Sequence, residues 1–225
     1  MAMEMARNSL DIADFKDSLQ NRIITIKNES GLKQFSFPVG LFFVIDEENG
    51  GDATAVQLVR RFHLLDRESK NFIDFYYLGW DDDDGFELDA FEDFRNFLKH
   101  RGISMFGGNA DLILVDLDVD HDHATLRFDR AIMIDLSERV SRENQSLGKF
   151  LQDLVAAAEK LDRITPYKAE SGAVYAISDT LGIAYAKTSF IRQVLEKWGS
   201  IIGAAGLKDL AVQKIGPQIA LEELG

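Results

Sequence analysis

The densest set of groups able to do chemistry is the run Asp116-Leu117-Asp118-Val119-Asp120-His121-Asp122-His123. Carboxylates and imidazoles bind hard and borderline metal ions. In an extended chain alternate residues share a face, so His121 and His123 point one way together, as do Asp116, Asp118 and Asp120. Two imidazoles with carboxylates form a ligand set for Zn²⁺ or Mn²⁺, and such a metal turns a bound water into a hydrolytic nucleophile by lowering its pKa. Asp116, Asp118, His121 and His123 are therefore the candidate metal ligands. The competing expectation is a polar hairpin tip, with the alternating carboxylates on the solvent face of a half-exposed strand. A tip excludes no water and is a poor place for catalysis.

A second concentration is predominantly acidic. From Asp46 to Asp93 the chain carries 15 acids against 4 bases, most of its net charge of −13. The stretches 46–52 (DEENGGD) and 79–89, with Asp81, Asp82, Asp83 and Asp84, hold most of it. Hard cations such as Mg²⁺ or Ca²⁺ take several carboxylate oxygens, so a divalent site is one reading. A solvated rim and a docking surface for a basic partner are the others. An EF-hand loop is not among them. With Gly85 at the glycine position, Trp80 and Phe91 fall where that pattern needs carboxylates.

The remaining candidates are weaker. His63 stands between Phe62 and Leu64 on a predicted helix and reads as a boundary histidine rather than a ligand, and His100 ends a predicted helix, where a cation complements the dipole. No G-x-S-x-G elbow occurs, and the pairs Gly50-Gly51 and Gly107-Gly108 match neither phosphate-binding fingerprint. Cysteine is absent, which removes disulfides, iron–sulfur clusters, thiolate zinc sites and cysteine nucleophiles. With no intact catalytic constellation, the expected function is a non-enzymatic interaction or regulatory module acting through the acidic loop face or the C-terminal helices. The alternative is a metal-dependent hydrolase or nuclease built on residues 116–123.

These groups need elements to hold them. The run Gly40 to Ile45 (GLFFVI) is apolar throughout and bounded by Pro38 and Asp46, the pattern of a strand buried on both faces. Asn49-Gly50-Gly51 is a turn signal, and Asp52 can cap a helix over 53–66 whose apolar positions are Ala55, Leu58, Val59, Phe62 and Leu65. Strands are expected at 72–78, 111–116 and 126–136, the last two joined as a hairpin. Helices are expected at 89–100, closed by Gly102, and at 147–161. The stretch 4–20 reads as a helix, and Arg22 to Lys27 (RIITIK) as a β-branched edge strand. After a linker at 164–173, helices are expected at 184–199 and 207–215.

The resulting division is 1–37 as an N-terminal helix and edge strand, 38–162 as an α/β core, and 163–225 as a helical extension. The β-α-β-α-β-β-α order of the core resembles the thioredoxin-like fold, a mixed sheet whose first two strands are parallel. The resemblance covers a little over half of the chain and is topological. The family's Cys-x-x-Cys pair would stand where the first helix begins, and here that stretch is Asn49-Gly50-Gly51-Asp52-Ala53. Its proline before the third strand is replaced by Gly107-Gly108-Asn109-Ala110. The resemblance implies the fold and not the redox chemistry.

A pI near 4.7 disfavours nonspecific nucleic-acid binding, which needs a basic face to displace counterions. No run of about 18 apolar residues occurs, so no membrane span is expected. The first twenty residues carry Glu4, Asp11, Asp14 and Asp17 without an apolar stretch, unlike a signal or transit peptide, and the expected location is the cytoplasm. A stripe of Phe190, Val194, Trp198, Ile201 and Ile202 must be buried somewhere. It either packs as an added layer on the domain or meets a second copy, and a homodimer is the favoured solution; self-association or a protein partner is the expected mode of interaction.

Overall fold

The computed structural model describes residues 8–9, 11–60, 72–81, 85–103, 109–137, 146–164, 172–181, 185–187, 211–213 and 215–224. Helix α1 (Ile12–Ser30) starts where Asp11 accepts the amide of Asp14 at 2.8 Å. It ends at Gly31, whose positive φ of 70° lets its amide return to Lys27 O. Phe15, Leu19, Arg22 and Ile23 are its buried residues, at helical spacing. That stripe carries the helix through 22–27, so the edge strand expected there is corrected. A continuous buried face outweighs the local β preference of Ile23, Ile24, Thr25 and Ile26. Ahead of it, β1 (Asn8–Ser9) lies parallel to β3 (Asp74–Leu78).

Strand β2 (Gln34–Val44) is longer than its apolar run and buried along almost its whole length. It pairs in parallel with β3 from Val39↔Asp74 to Phe42↔Tyr77. Pro38 falls just before that pairing begins, where β2 has a neighbour on one side only, a position a sheet tolerates for proline. Gly40 is required by close packing, because a Cβ there would lie 2.4 Å from the Phe75 ring. Between the two strands helix α2 covers residues 53–60, capped by Asp52 through the amides of Thr54 and Ala55. The stretch read as loop after β3 instead contains a small antiparallel pair, β4 (Trp80–Asp81) and β5 (Gly85–Phe86). Helix α3 (Leu88–His100) follows, burying Phe91, Phe94 and Leu98.

Strand β6 (Ala110–Asp120) runs antiparallel to the whole of β2, from Gln34↔Asp120 to Val44↔Ala110. It turns into β7 (His123–Asp135) through the two-residue link His121-Asp122, with Asp120 facing His123 and His121 at φ 53°. A register shift interrupts the β6–β7 ladder between Leu114 and Asp116. Helices α4 (Leu147–Ile164) and α5 (Ala173–Leu181) come next. Strands β8 (Tyr185–Lys187), β9 (Ala211–Gln213) and β10 (Ile219–Ala220) then lead to a short 3₁₀ turn at Leu221–Glu223.

The fold is α/β with one mixed sheet, ordered β1-β3-β2-β6-β7-β9-β8, with β10 also on β7. The helical reading of the C-terminal segment is corrected at 185–187 and 211–213. These residues are strands that extend the sheet beyond β7 and occupy an edge that would otherwise leave its backbone groups unpaired. The stripe Phe190, Val194, Trp198, Ile201 and Ile202 lies outside the described residues. Odd-numbered side chains of β2 and β6, from Phe35 to Phe43 and from Ile113 to Val119, meet α1, α3 and the C-terminal Ile215, Ile219, Leu221 and Leu224. On the other face Phe42, Val44, Phe75, Tyr77, Leu112, Leu114 and Ile132 meet α2, α4 and α5. Phe42, Val44, Phe75, Ile113, Val115 and Ile132, which fall within the runs expected as strands, are all buried. Among the described residues no helix is long and apolar enough to cross a membrane.

Candidate functional site

Along β6 the residues facing α4 and α5 change character halfway. Ala110, Leu112 and Leu114 are buried and apolar, and Asp116, Asp118 and Asp120 continue the same side of the strand. The three carboxylates have different surroundings, and the expectation that all three form a solvent face is corrected. Asp116 is fully buried. Its Oδ1 accepts the amides of Ala173 at 2.8 Å and Val174 at 3.1 Å, so a strand residue caps the first turn of α5. Gly172, at φ 66°, lets the chain enter the helix, and a Cβ on it would come within 2.8 Å of Asp116 Oδ2. Arg130 Nε stands 3.7 Å from Oδ2. Burial pushes the Asp116 carboxyl up to about 6, and the nearby Asp118 adds to the rise. Arg130 and the two amides pull the other way without cancelling it.

Asp118 is held by neutral and cationic donors together. Ser36 Oγ donates to it at 2.7 Å, Arg127 Nη1 at 2.9 Å, and Arg130 Nη2 also donates to it. Arg127 turns its remaining donors to Asp129 in a fork, Nε at 2.8 Å and Nη2 at 2.9 Å, which lowers the Asp129 pKa. Asp120 is exposed and accepts from Gln34 Nε2 at 2.7 Å, with His121 Nδ1 2.6 Å away. These two bonds, Gln34 first, lower its pKa.

The histidines lie elsewhere. His121 is 61% exposed at the hairpin turn, where its carbonyl accepts from Lys27 Nζ and its amide donates to Lys33 O. His123 is 79% exposed, with Nδ1 3.5 Å from Glu222 Oε1. The four expected metal ligands are thus divided. Asp116 and Asp118 sit in an Asp–Arg network at the foot of α5, and His121 and His123 lie in solvent at the strand end. Among the described residues no three His, Asp or Glu side chains gather as a metal site. The network joins β2, β6, β7 and α5 through one set of charge-assisted bonds. Of its members, Ser36, Arg127, Arg130 and Gly172 were not singled out from sequence. The visible signal was the pairing of two acid-rich and base-rich runs, DLDVD and RFDR, across a predicted hairpin.

The acidic edge is the other candidate. Because β2 and β3 are parallel and end at Val44 and Leu78, the segments after them leave the same edge of the sheet. Two acids there have local duties: Asp46 Oδ1 accepts from Asn49 N at 3.0 Å and Nδ2 at 2.6 Å, and Asp52 caps α2. Glu47, Glu48, Glu87 and Asp89 are exposed, with Leu88 beside them 43% exposed. Trp80 ties this edge down, donating from Nε1 to Val44 O at 2.8 Å and packing on Phe86 with ring centroids 5.2 Å apart. Asp82, Asp83, Asp84 and His63 lie outside the described residues. His100 ends α3 with Nδ1 2.7 Å from Asn96 O.

No protein-family model, curated protein or solved structure matches this chain.

Proposed function

We propose that the chain is a non-enzymatic interaction module of the cytoplasm that docks a basic segment of a protein partner on its acidic edge. The observation that carries this reading is the convergence of Glu47, Glu48, Glu87 and Asp89, all exposed, at the ends of two adjacent parallel strands, with the apolar Leu88 among them. Exposed carboxylates that make no ion pair among the described residues raise the local concentration of a cationic partner and speed its arrival. Leu88 supplies apolar area that such a contact would bury. Carboxylates that would serve a hydrolase at 116–123 are instead engaged by arginines and helix amides, so the metal-dependent reading draws no support from the geometry.

The fold proposed for this module is thioredoxin-like. The strand order β3-β2-β6-β7, with β2 and β3 parallel and β6 and β7 antiparallel, supports that arrangement without the redox pair. The stretch Asn49-Gly50-Gly51-Asp52-Ala53 stands at the start of α2, where the family places its cysteines.

Fluorescence anisotropy with a labelled Arg/Lys-rich peptide, a neutral peptide of equal length and a salt series tests the reading. Binding should be selective for the basic peptide and weaken with salt. Reversing Glu47, Glu48, Glu87 and Asp89 to Lys should weaken it by about tenfold or more. Equal binding of both peptides, or an unchanged affinity after reversal, would overturn it.

A further inference from the structure

Asn49-Gly50 is the only Asn-Gly pair in the chain, and we infer that it is a self-modifying site, at which Asn49 deamidates through its own backbone. The reaction needs the amide nitrogen of the following residue to reach the Asn side-chain carbonyl carbon, and it is fastest where that residue has no side chain. The structure leaves this turn accessible. Both residues are exposed, and Gly50 has a φ of 99° that only glycine adopts readily. Among the described residues, a Cβ built on Gly50 would meet nothing within 4 Å, so the turn is open on that side. Among the described residues the Gly50 amide makes a single turn bond, 3.2 Å to Glu47 O.

Base removes the proton of the Gly50 amide, whose nitrogen attacks Asn49 Cγ. The new N–Cγ bond closes a succinimide, the protonated base returns its proton to Nδ2, the Cγ–Nδ2 bond breaks, and the nitrogen leaves as ammonia. Water then opens the ring at either carbonyl, leaving aspartate or isoaspartate at position 49.

Asp46 sets the pace. Its Oδ1 accepts both the amide and the Nδ2 of Asn49, at 3.0 and 2.6 Å. This clasp holds the carboxamide over Asp46 and restrains it from turning toward Gly50. The same contact makes the modification consequential. Once Nδ2 is lost, a carboxylate faces a carboxylate where a hydrogen bond stood, and like charges at that distance repel. The turn is otherwise closed by Gly51 N on Asp46 O at 2.6 Å and leads straight to the α2 cap, Asp52. Deamidation therefore adds a charge to the acidic edge and loosens the loop that begins α2, whether or not that edge docks a partner.

The test is to age the full chain in ¹⁸O-labelled water at neutral and mildly alkaline pH and to map its peptides by mass spectrometry. The expected result is ¹⁸O-labelled aspartate and isoaspartate at position 49 ahead of every other asparagine, accumulating faster at the higher pH. Asp46→Ala should speed the conversion severalfold, and the urea-unfolded wild type, which also lacks the clasp, should convert faster than the native chain. An intact Asn49 while another asparagine converts would overturn the site. Equal rates in the native and unfolded wild type would overturn the restraint by Asp46, with no dependence on whether the variant folds.

Discussion

Replacing Asp116 with Asn tests the buried network by removing the charge and keeping an oxygen that can still accept from Ala173 and Val174. Asn caps helices about as well as Asp, so the change isolates the ionisation. Burial holds the Asp116 carboxyl near 6 in the fold, against 3.8 ordinarily. The folded chain therefore binds this proton more tightly than the unfolded chain does. The slope of unfolding free energy with pH follows protons bound unfolded minus protons bound folded, which is negative here. Asp116 thus lends stability below pH 4 that is lost as pH rises to 6. A raise of about two pH units corresponds to about 3 kcal/mol. Urea unfolding of wild type and Asp116→Asn at several pH values from 4 to 7 measures this, because every other titrating group is common to both and drops out of the difference. The Asn variant should gain about 3 kcal/mol relative to wild type across the window and nothing further above it. A flat difference would show that the carboxyl titrates normally. The opposite slope would show that Arg130 and the α5 amides outweigh burial, and either result refutes the reasoning.

Two further expectations concern stability. Arg22 on α1 and Asp74 at the start of β3 form a buried pair, Nε to Oδ2 at 2.8 Å, with the guanidinium 4.8 Å from the centre of the Phe37 ring. Arg22→Ala should cost about 3–5 kcal/mol in denaturant unfolding, whereas Arg22→Met with Asp74→Leu should recover most of that loss. Gly172→Ala should cost about 1 kcal/mol or more, since it combines a left-handed φ with a Cβ 2.8 Å from Asp116 Oδ2; the same substitution should cost less in the Asp116→Ala background, read by a double-mutant cycle.

The centre of the sheet was legible because its residues have only one way to satisfy themselves. GLFFVI, DFYYL and DLILV are apolar on both faces, and a strand covered on both sides by helices is what such runs form. The stretch 22–27 was misread because its local content, Ile23, Ile24, Thr25 and Ile26, favours a strand. The deciding information lay outside it: Phe15 and Leu19 set a helical stripe that Arg22 and Ile23 continue. Arg22 looked polar and out of place there until its partner Asp74 came from another element. At the C-terminus the strands at 185–187 and 211–213 are only three residues long, too short for periodicity to reveal. They exist because β7 offers an edge, which is a property of the assembled sheet.

The run 116–123 was legible only in part, for a related reason. Alternation correctly placed Asp116, Asp118 and Asp120 on one side of a strand, and the hairpin correctly turned at His121-Asp122. What alternation does not specify is what covers that side. Asp118 and Asp120 lie near the strand end, and there the sequence argument for a polar, wet surface fails only in degree, since Asp120 is exposed and Asp118 is reached by two arginines. Asp116 is different, because α5 begins over it. An isolated helix start leaves amides unsatisfied, and α5 has no acidic residue in its first turn. The acid it needs is supplied by β6, 57 residues earlier. The same carboxylates that resembled a metal site are thus spent on amides and guanidinium groups, and the two histidines that completed the motif in sequence are separated from them by the direction of the turn.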